Sequence, residues 1–196
     1  MSLPVVVPFR SGGKTRLPAE IRGEVALAML GDVLEVAVEF GETRLVTDDP
    51  SGALVAAGIG ADVVDDPGEG QGSAVRAGLA GIDGPCLIVN ADLPCVRPSD
   101  LGALAVPAKA GAVGLVAAPD GTTNALALPW PEVFQPLYGP GSAGQFRAHA
   151  EALGLVWHDI ALPNVRRDVD TADDLVRLAG RAGPRTRALL RAIQAA

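Results

Sequence analysis

Asp92 stands in the stretch Asn90-Ala91-Asp92-Leu93-Pro94, directly after the apolar run Cys86-Leu87-Ile88-Val89. That run is short, partly β-branched and preceded by Gly84-Pro85, the pattern of a buried strand. A carboxylate at the end of such a strand falls at the carboxyl edge of an open α/β sheet, where ligands bind. Pro94 then ends the strand in a turn. Taken alone, Asp92 reads equally well as a carboxylate that hydrogen-bonds this turn. A second acidic cluster, Asp168-Val169-Asp170, shifts the balance, because carboxylates spaced i, i+2 share one side of an extended chain. Helix capping, the competing use of Asp170, is already supplied by Thr171. Three carboxylates converging on one sheet edge suggest a divalent-metal site.

A basic loop lies near the other end of the chain. Arg10, Lys14, Arg16 and Arg22 fall within the first 22 residues, with Glu20 the one acid among them, in a chain of net charge −7. The acidic total argues against nucleic-acid binding, whereas a local basic loop suits a small anionic ligand. Of the 16 basic residues two are lysines, Lys14 and Lys109, and a lysine inside this loop suits a point charge on phosphate. The competing reading of Lys14 and Arg16 is a solvated loop. Gly12-Gly13-Lys14-Thr15 matches the tail of a P-loop, but the position of that motif's first glycine is Pro8, which has no N–H. A glycine-rich basic loop after a first strand can still cradle phosphate in other folds.

These groups must be positioned by regular elements. Leu3 to Phe9 reads as a first strand buried on both faces, and Pro18 to Phe40 has helical spacing, with Gly31-Asp32 expected to break it in two. Arg44–Thr47 is a second strand, a short helix begins at Asp49-Pro50-Ser51, and Ala61–Asp65 is a third strand ending in an Asp65-Asp66 turn. The loop Gly68 to Ser73 leads to a helix over Ala74–Ile82, and after the Asp92 strand a helix starts near Pro98 with Ser99 as its cap. Strand and helix alternating four times is the pattern of a parallel sheet covered on both faces. The second half is less regular. Strands over Ala112–Ala118 and Ala125–Leu128 flank the loop Pro119 to Asn124, and the loop Tyr138-Gly139-Pro140-Gly141-Ser142 leads to a helix over Ala143–Leu153. Leu155–Ile160 is a further strand, Thr171 with Asp174 opens a helix to about Ala179, and a basic amphipathic helix starts at Pro184, packed on its own domain or a partner subunit.

With 196 residues, 48% of them hydrophobic, the chain suits one domain over 1–196. No apolar run approaches the roughly 20 residues of a membrane span, and the start lacks a signal peptide's basic region, so a cytoplasmic location is expected. Cys86 and Cys95 form no metal spacing and read as buried thiols. His149 and His158 read as structural. A dinucleotide dehydrogenase is disfavoured, since no Gly-x-Gly-x-x-Gly follows the first strand.

Taken together, Val7-Pro8-Phe9-Arg10, Lys14-Thr15-Arg16-Leu17, Ala91-Asp92-Leu93-Pro94, Thr122-Thr123-Asn124-Ala125-Leu126, Gly139-Pro140-Gly141-Ser142 and Asp168-Val169-Asp170-Thr171 occur in the order seen in one family. Over nearly its whole length the chain resembles the guanylyltransferases of deazaflavin-coenzyme biosynthesis, which act on 2-phospho-L-lactate or phosphoenolpyruvate. Asp-Leu-Pro and Asp-x-Asp-Thr are shared by many nucleotidyltransferases, whereas Thr-Asn-Ala-Leu and Gly-Pro-Gly-Ser are narrower. The resemblance implies a Rossmann-like nucleotidyltransferase fold with a mostly parallel central sheet flanked by helices. It implies that Asp92, Asp168 and Asp170 hold Mg²⁺ and that Thr123, Gly139 and Ser142 bind the phosphorylated acid. Thr123 and Ser142 are expected to aim hydroxyls into the cleft, with the amides of the helix behind Ser142 assisting. Lys14 and Arg16 would neutralise the triphosphate, with Arg10 contacting the nucleotide where the family often has lysine. The loop carrying Gly70, Gly72 and Ser73 is where relatives of this fold let backbone approach the base; a plain strand-to-helix connection is the competing reading.

The implied partners are GTP and a phosphorylated three-carbon acid, with GMP passing to phosphoenolpyruvate and pyrophosphate released; phospholactate is the alternative acceptor. Neither nucleic acid nor membrane is expected as a partner. A homodimer and hand-over of product to a downstream transferase remain compatible with the resemblance. A non-catalytic nucleotide-binding regulatory domain would keep the basic loop but has no need of three metal-facing aspartates. A molybdopterin nucleotidyltransferase would show Leu-Ala-Gly-Gly where Val7-Pro8-Phe9-Arg10 stands.

Overall fold

The computed structural model describes residues 2–13 and 16–195, which form seven β-strands and seven α-helices. The first half alternates as the apolar runs require: β1 (Val5–Pro8), α1 (Ala19–Phe40), β2 (Thr43–Thr47), α2 (Pro50–Ile59), β3 (Asp62–Asp65), α3 (Gln71–Leu79), β4 (Cys86–Val89) and α4 (Pro98–Lys109). There follow β5 (Val113–Ala117), β6 (Thr123–Leu128), α5 (Ser142–Ala152), β7 (Trp157–Asp159), α6 (Ala172–Leu178) and α7 (Pro184–Ala195).

One sheet of order β3-β2-β1-β4-β6-β5-β7 contains all seven strands. β3, β2, β1 and β4 are parallel, whereas β6 is antiparallel to both its neighbours, β4 and β5. The short link from Ala117 to Thr123 dictates this reversal, since parallel neighbours need a crossover of a dozen residues or more. Side chains of β1 alternate between faces, so Val5 and Val7 pack with α1 and α4 on one side while Val6 packs with α3 on the other. Gly78 lets α3 lie on the sheet, because a Cβ there would press into Val6 and Val46. A third apolar cluster joins the outer side of α1, through Val25 and Met29, to Val169 and to Leu175 and Leu178 of α6.

Three expectations are corrected. Gly31-Asp32 does not interrupt α1, which is continuous from Ala19 to Phe40. A methyl group on Gly31 would collide with the Arg185 side chain, and the buried Asp32 carboxylate accepts the amides of Arg185 and Thr186 at 2.9 and 3.0 Å. Both residues therefore serve the docking of α7 on α1. Ser99 does not cap α4; the cap position is Arg97, whose N–H donates to the Asp100 carboxylate at 2.9 Å. α3 also begins at Gln71 rather than Ala74, so part of the expected loop is helical. Cys86 and Cys95 are buried free thiols, and burial pushes Cys86 up to about 12. Among the described residues, no helix is long and apolar enough to cross a membrane.

Candidate active site

The three aspartates meet at the carboxyl edge of the parallel strands. One carboxylate oxygen from each of Asp92, Asp168 and Asp170 lies within 4.8 Å of the others. The backbone explains their approach: the Val169 amide donates to the Asp92 carbonyl at 3.2 Å. Val169 is itself wholly buried in the cluster joining α1 to α6, leaving the half-buried Asp168 and Asp170 on either side of it. Thr171 and Asp174 form a reciprocal cap on α6, with the Asp174 amide donating to Thr171 Oγ1 at 3.2 Å and the Thr171 amide to Asp174 Oδ2 at 3.0 Å. Asp170 is not needed for that cap. Three clustered carboxylates are hard oxygen donors of the kind a hard divalent cation selects. The exposed Arg16 guanidinium stands 3.9 Å from Asp170. Lys14 lies outside the described residues.

Beside Asp92 opens a cleft of about 230 Å³, at the point where the chain order reverses between β1 and β4. Phe9, Met29, Ala74 and Ala91 give it apolar walls, and Arg10, Asp66, Gln71 and Asn90 bring polar groups. Arg10 is turned toward Asp66, donating from Nε at 2.6 Å and from Nη2 at 2.9 Å. The Asp66 side chain is fully screened from solvent and also accepts the Gly68 amide at 2.9 Å. Hydrogen bonding from Arg10 holds the Asp66 carboxyl below the usual carboxylate range, against the opposing effect of burial. Asp66 is thus more than the strand-end turn expected of it.

At the start of α3, Gln71 lines the cleft. Gly70 precedes α3 with φ of 99°, a left-handed conformation that favours glycine. Gly72 has a packing reason, since a Cβ there would collide with Pro136. The Ser73 amide donates to the Gly70 carbonyl at 3.1 Å.

Thr123 and Ser142 are brought side by side, the Ser142 hydroxyl donating to Thr123 Oγ1 at 3.1 Å. Both are buried, with 2% and 0% of their surface exposed, and their hydroxyls meet each other, where the sequence suggested that each aims into the cleft. The amides at the start of α5 are committed as well: Ser142 donates to the Gly139 carbonyl at 3.0 Å and Ala143 to that of Gly121 at 3.1 Å. Gly139 turns the chain into this helix with φ of 127°. Asn124 and Asn90, which the sequence left without a role, hold this region to the aspartates. Asn124 Nδ2 donates to the Val165 carbonyl at 2.9 Å, and the Asn90 amide to the Asn124 carbonyl at 3.1 Å. A second cavity of about 240 Å³ touches Asp168 and Asp170 and carries Arg16, Arg167 and Arg177, the last two unmarked by any motif. His149 bonds the Val133 carbonyl through Nε2 at 2.9 Å, in keeping with a structural role.

Residues 9–191 match the model of the MobA-like NTP transferase domain. The chain belongs to that family. It is accordingly a nucleotidyltransferase, and the carboxylate cluster with its two flanking cavities is its candidate catalytic centre. A phosphoenolpyruvate guanylyltransferase of Roseiflexus castenholzii is 37% identical over 93% of this chain and 90% of its own length. A nucleotidyl transferase of Methanothermobacter superposes with a TM-score of 0.66 at 19% identity, covering 90% of this chain and 95% of the other. Molybdopterin-guanine dinucleotide biosynthesis protein A of Archaeoglobus fulgidus superposes with a TM-score of 0.60 at 18% identity, covering 89% and 96%. These two structures establish the Rossmann-like nucleotidyltransferase fold expected from the sequence.

Proposed function

We propose that this nucleotidyltransferase moves GMP from GTP to the phosphate of phosphoenolpyruvate, releasing pyrophosphate, as a step toward a deazaflavin redox coenzyme. The observation that carries the reading is the cluster of Asp92, Asp168 and Asp170, placed between an apolar-walled cleft and an arginine-lined cavity. The names of its relatives, phosphoenolpyruvate guanylyltransferases, supply the choice of base and acid.

A phosphate oxygen of the acid attacks the α-phosphorus of GTP, and the bond to the β-phosphate oxygen breaks in line with it. The attacking phosphate is already largely dianionic at neutral pH, so the step needs no general base. Positioning and charge neutralisation suffice. Mg²⁺ held by Asp92, Asp168 and Asp170 would offset the charge that gathers at the reacting phosphates. Lys14 and Arg16 neutralise the triphosphate, and the acid is received at the Thr123–Gly139–Ser142 corner.

The test is incubation with GTP, Mg²⁺ and either phosphoenolpyruvate or 2-phospho-L-lactate, following pyrophosphate. Release that depends on phosphoenolpyruvate supports the proposal. Release with phospholactate alone reassigns the acceptor, and acid-independent release overturns the transfer.

A further inference from the structure

We infer that Gln71 reads the base of the nucleotide, with Asn90 as the positioning residue that fixes its orientation; the inference rests on GTP being the donor. The observation is a chain of hydrogen bonds whose direction is set at one end. Asn90 Nδ2 lies 3.1 Å from the Thr123 carbonyl oxygen, which can only accept. Asn90 must therefore point its amide nitrogen there and turn its Oδ1 the opposite way. That oxygen meets Gln71 Nε2 at 2.8 Å. Gln71 in turn has to donate through its nitrogen, so its Oε1 faces away from Asn90 as an oriented acceptor. The backbone carbonyl of β6 thus fixes, through two side-chain amides, the side on which Gln71 presents its acceptor oxygen.

Both amides line the cleft beside Asp92, whose walls of Phe9, Met29, Ala74 and Ala91 suit the flat faces of a nucleobase. Gln71 is exposed, whereas Asn90 is partly buried and anchored by its own backbone amide to the Asn124 carbonyl at 3.1 Å. The anchored partner orients and the accessible partner reads. A fixed acceptor suits guanine, whose pairing edge presents adjacent N1–H and N2–H donors. Adenine offers its donor at N6 and the lone pair of N1 beside it, so an acceptor fixed opposite the N1 position is met by N1–H of guanine and repelled by N1 of adenine. A site built around a specific hydrogen bond rejects the base that cannot make it, because its polar group is left unpaired. Were Gln71 free to rotate, its Nε2 could serve adenine instead. Asn90 therefore contributes to discrimination without touching the base.

The experiment compares the specificity constants for GTP and ATP, with phosphoenolpyruvate and Mg²⁺ present, in wild type, Gln71→Met and Asn90→Ala. Equilibrium binding of each nucleotide by calorimetry gives a second readout, and thermal unfolding verifies that each variant is folded. Wild type should favour GTP, and Gln71→Met should lower the GTP-to-ATP ratio by roughly 10- to 100-fold in both readouts. Asn90→Ala should narrow the ratio too, a change that looser packing alone would not produce, since packing loss weakens both nucleotides together. A ratio unchanged in Gln71→Met overturns the reading role, and one unchanged in Asn90→Ala overturns the positioning role. Wild type that takes ATP as readily as GTP overturns the guanylyl assignment itself, and the base-reading role with it.

Discussion

Arg10 and Asp66 are 56 positions apart in the chain and meet through two charge-assisted hydrogen bonds at the cleft. Asp66 has its carboxyl held low in the folded state, so its share of stability is present above the ordinary carboxylate value and is lost as the pH falls through the folded value. Arg10 is partly solvated, which limits the contribution. Asp66→Asn should cost about 1 kcal/mol at neutral pH, with the gap to wild type closing as the pH falls below the ordinary carboxylate range. Denaturant titrations across that range check it, and a gap that persists in acid would remove the ion pair as its cause. The hydroxyl pair gives a second prediction. Thr123→Val and Ser142→Ala should each lower the acid-dependent specificity constant by roughly 10- to 150-fold, the equivalent of about 1.5–3 kcal/mol, while GTP binding measured without acid hardly changes. If stability falls but acid dependence does not, the pair only braces the corner. Asp92, Asp168 and Asp170 were legible in the sequence because strand-end placement and i, i+2 spacing are local signals. Asp66, Asn90 and Asn124 were not, because their partners lie 56, 33 and 41 positions away and no local spacing encodes such contacts.

Among the elements, α1 was misjudged in its continuity. Glycine and aspartate in mid-helix are both poor helix formers, so Gly31-Asp32 reads as a break. Their use is tertiary: one makes room for Arg185 and the other caps α7 from a distance. Replacing Asp32 by alanine would leave the amides of Arg185 and Thr186 without their acceptor in a closely packed junction. The expected loss is about 2–3 kcal/mol of unfolding free energy, read from the denaturant midpoint. A variant as stable as wild type would mean that α7 is held by its apolar contacts through Leu189 and Leu190 instead. Although not at α4, local capping was read correctly at α6, through Thr171 and Asp174. Asp49 of α2 is a second such case, accepting the Ser51 amide at 2.8 Å.

At the scale of the whole molecule, alternating apolar runs and helices were enough to predict the parallel half, whereas the reversal of β6 was not read from the sequence. The reversal has a functional consequence. It sets the start of β6, with Thr123 and Asn124, beside the end of β4, with Asn90 and Asp92, so the proposed nucleotide and acceptor sides share one edge. Distances between these segments were beyond the sequence, since they follow from how the layers pack. The most direct measurement of the central claim is pyrophosphate release from GTP and phosphoenolpyruvate by wild type and Asp92→Asn, each titrated with Mg²⁺. Asp92 is half-buried at a strand end, and asparagine keeps its size and shape, so the variant should fold with a thermal midpoint near that of wild type. Its turnover should fall by roughly two orders of magnitude or more, and excess chelator should abolish wild-type turnover. Wild-type-like turnover by folded Asp92→Asn, or turnover indifferent to chelator, would contradict a reaction organised by the three carboxylates.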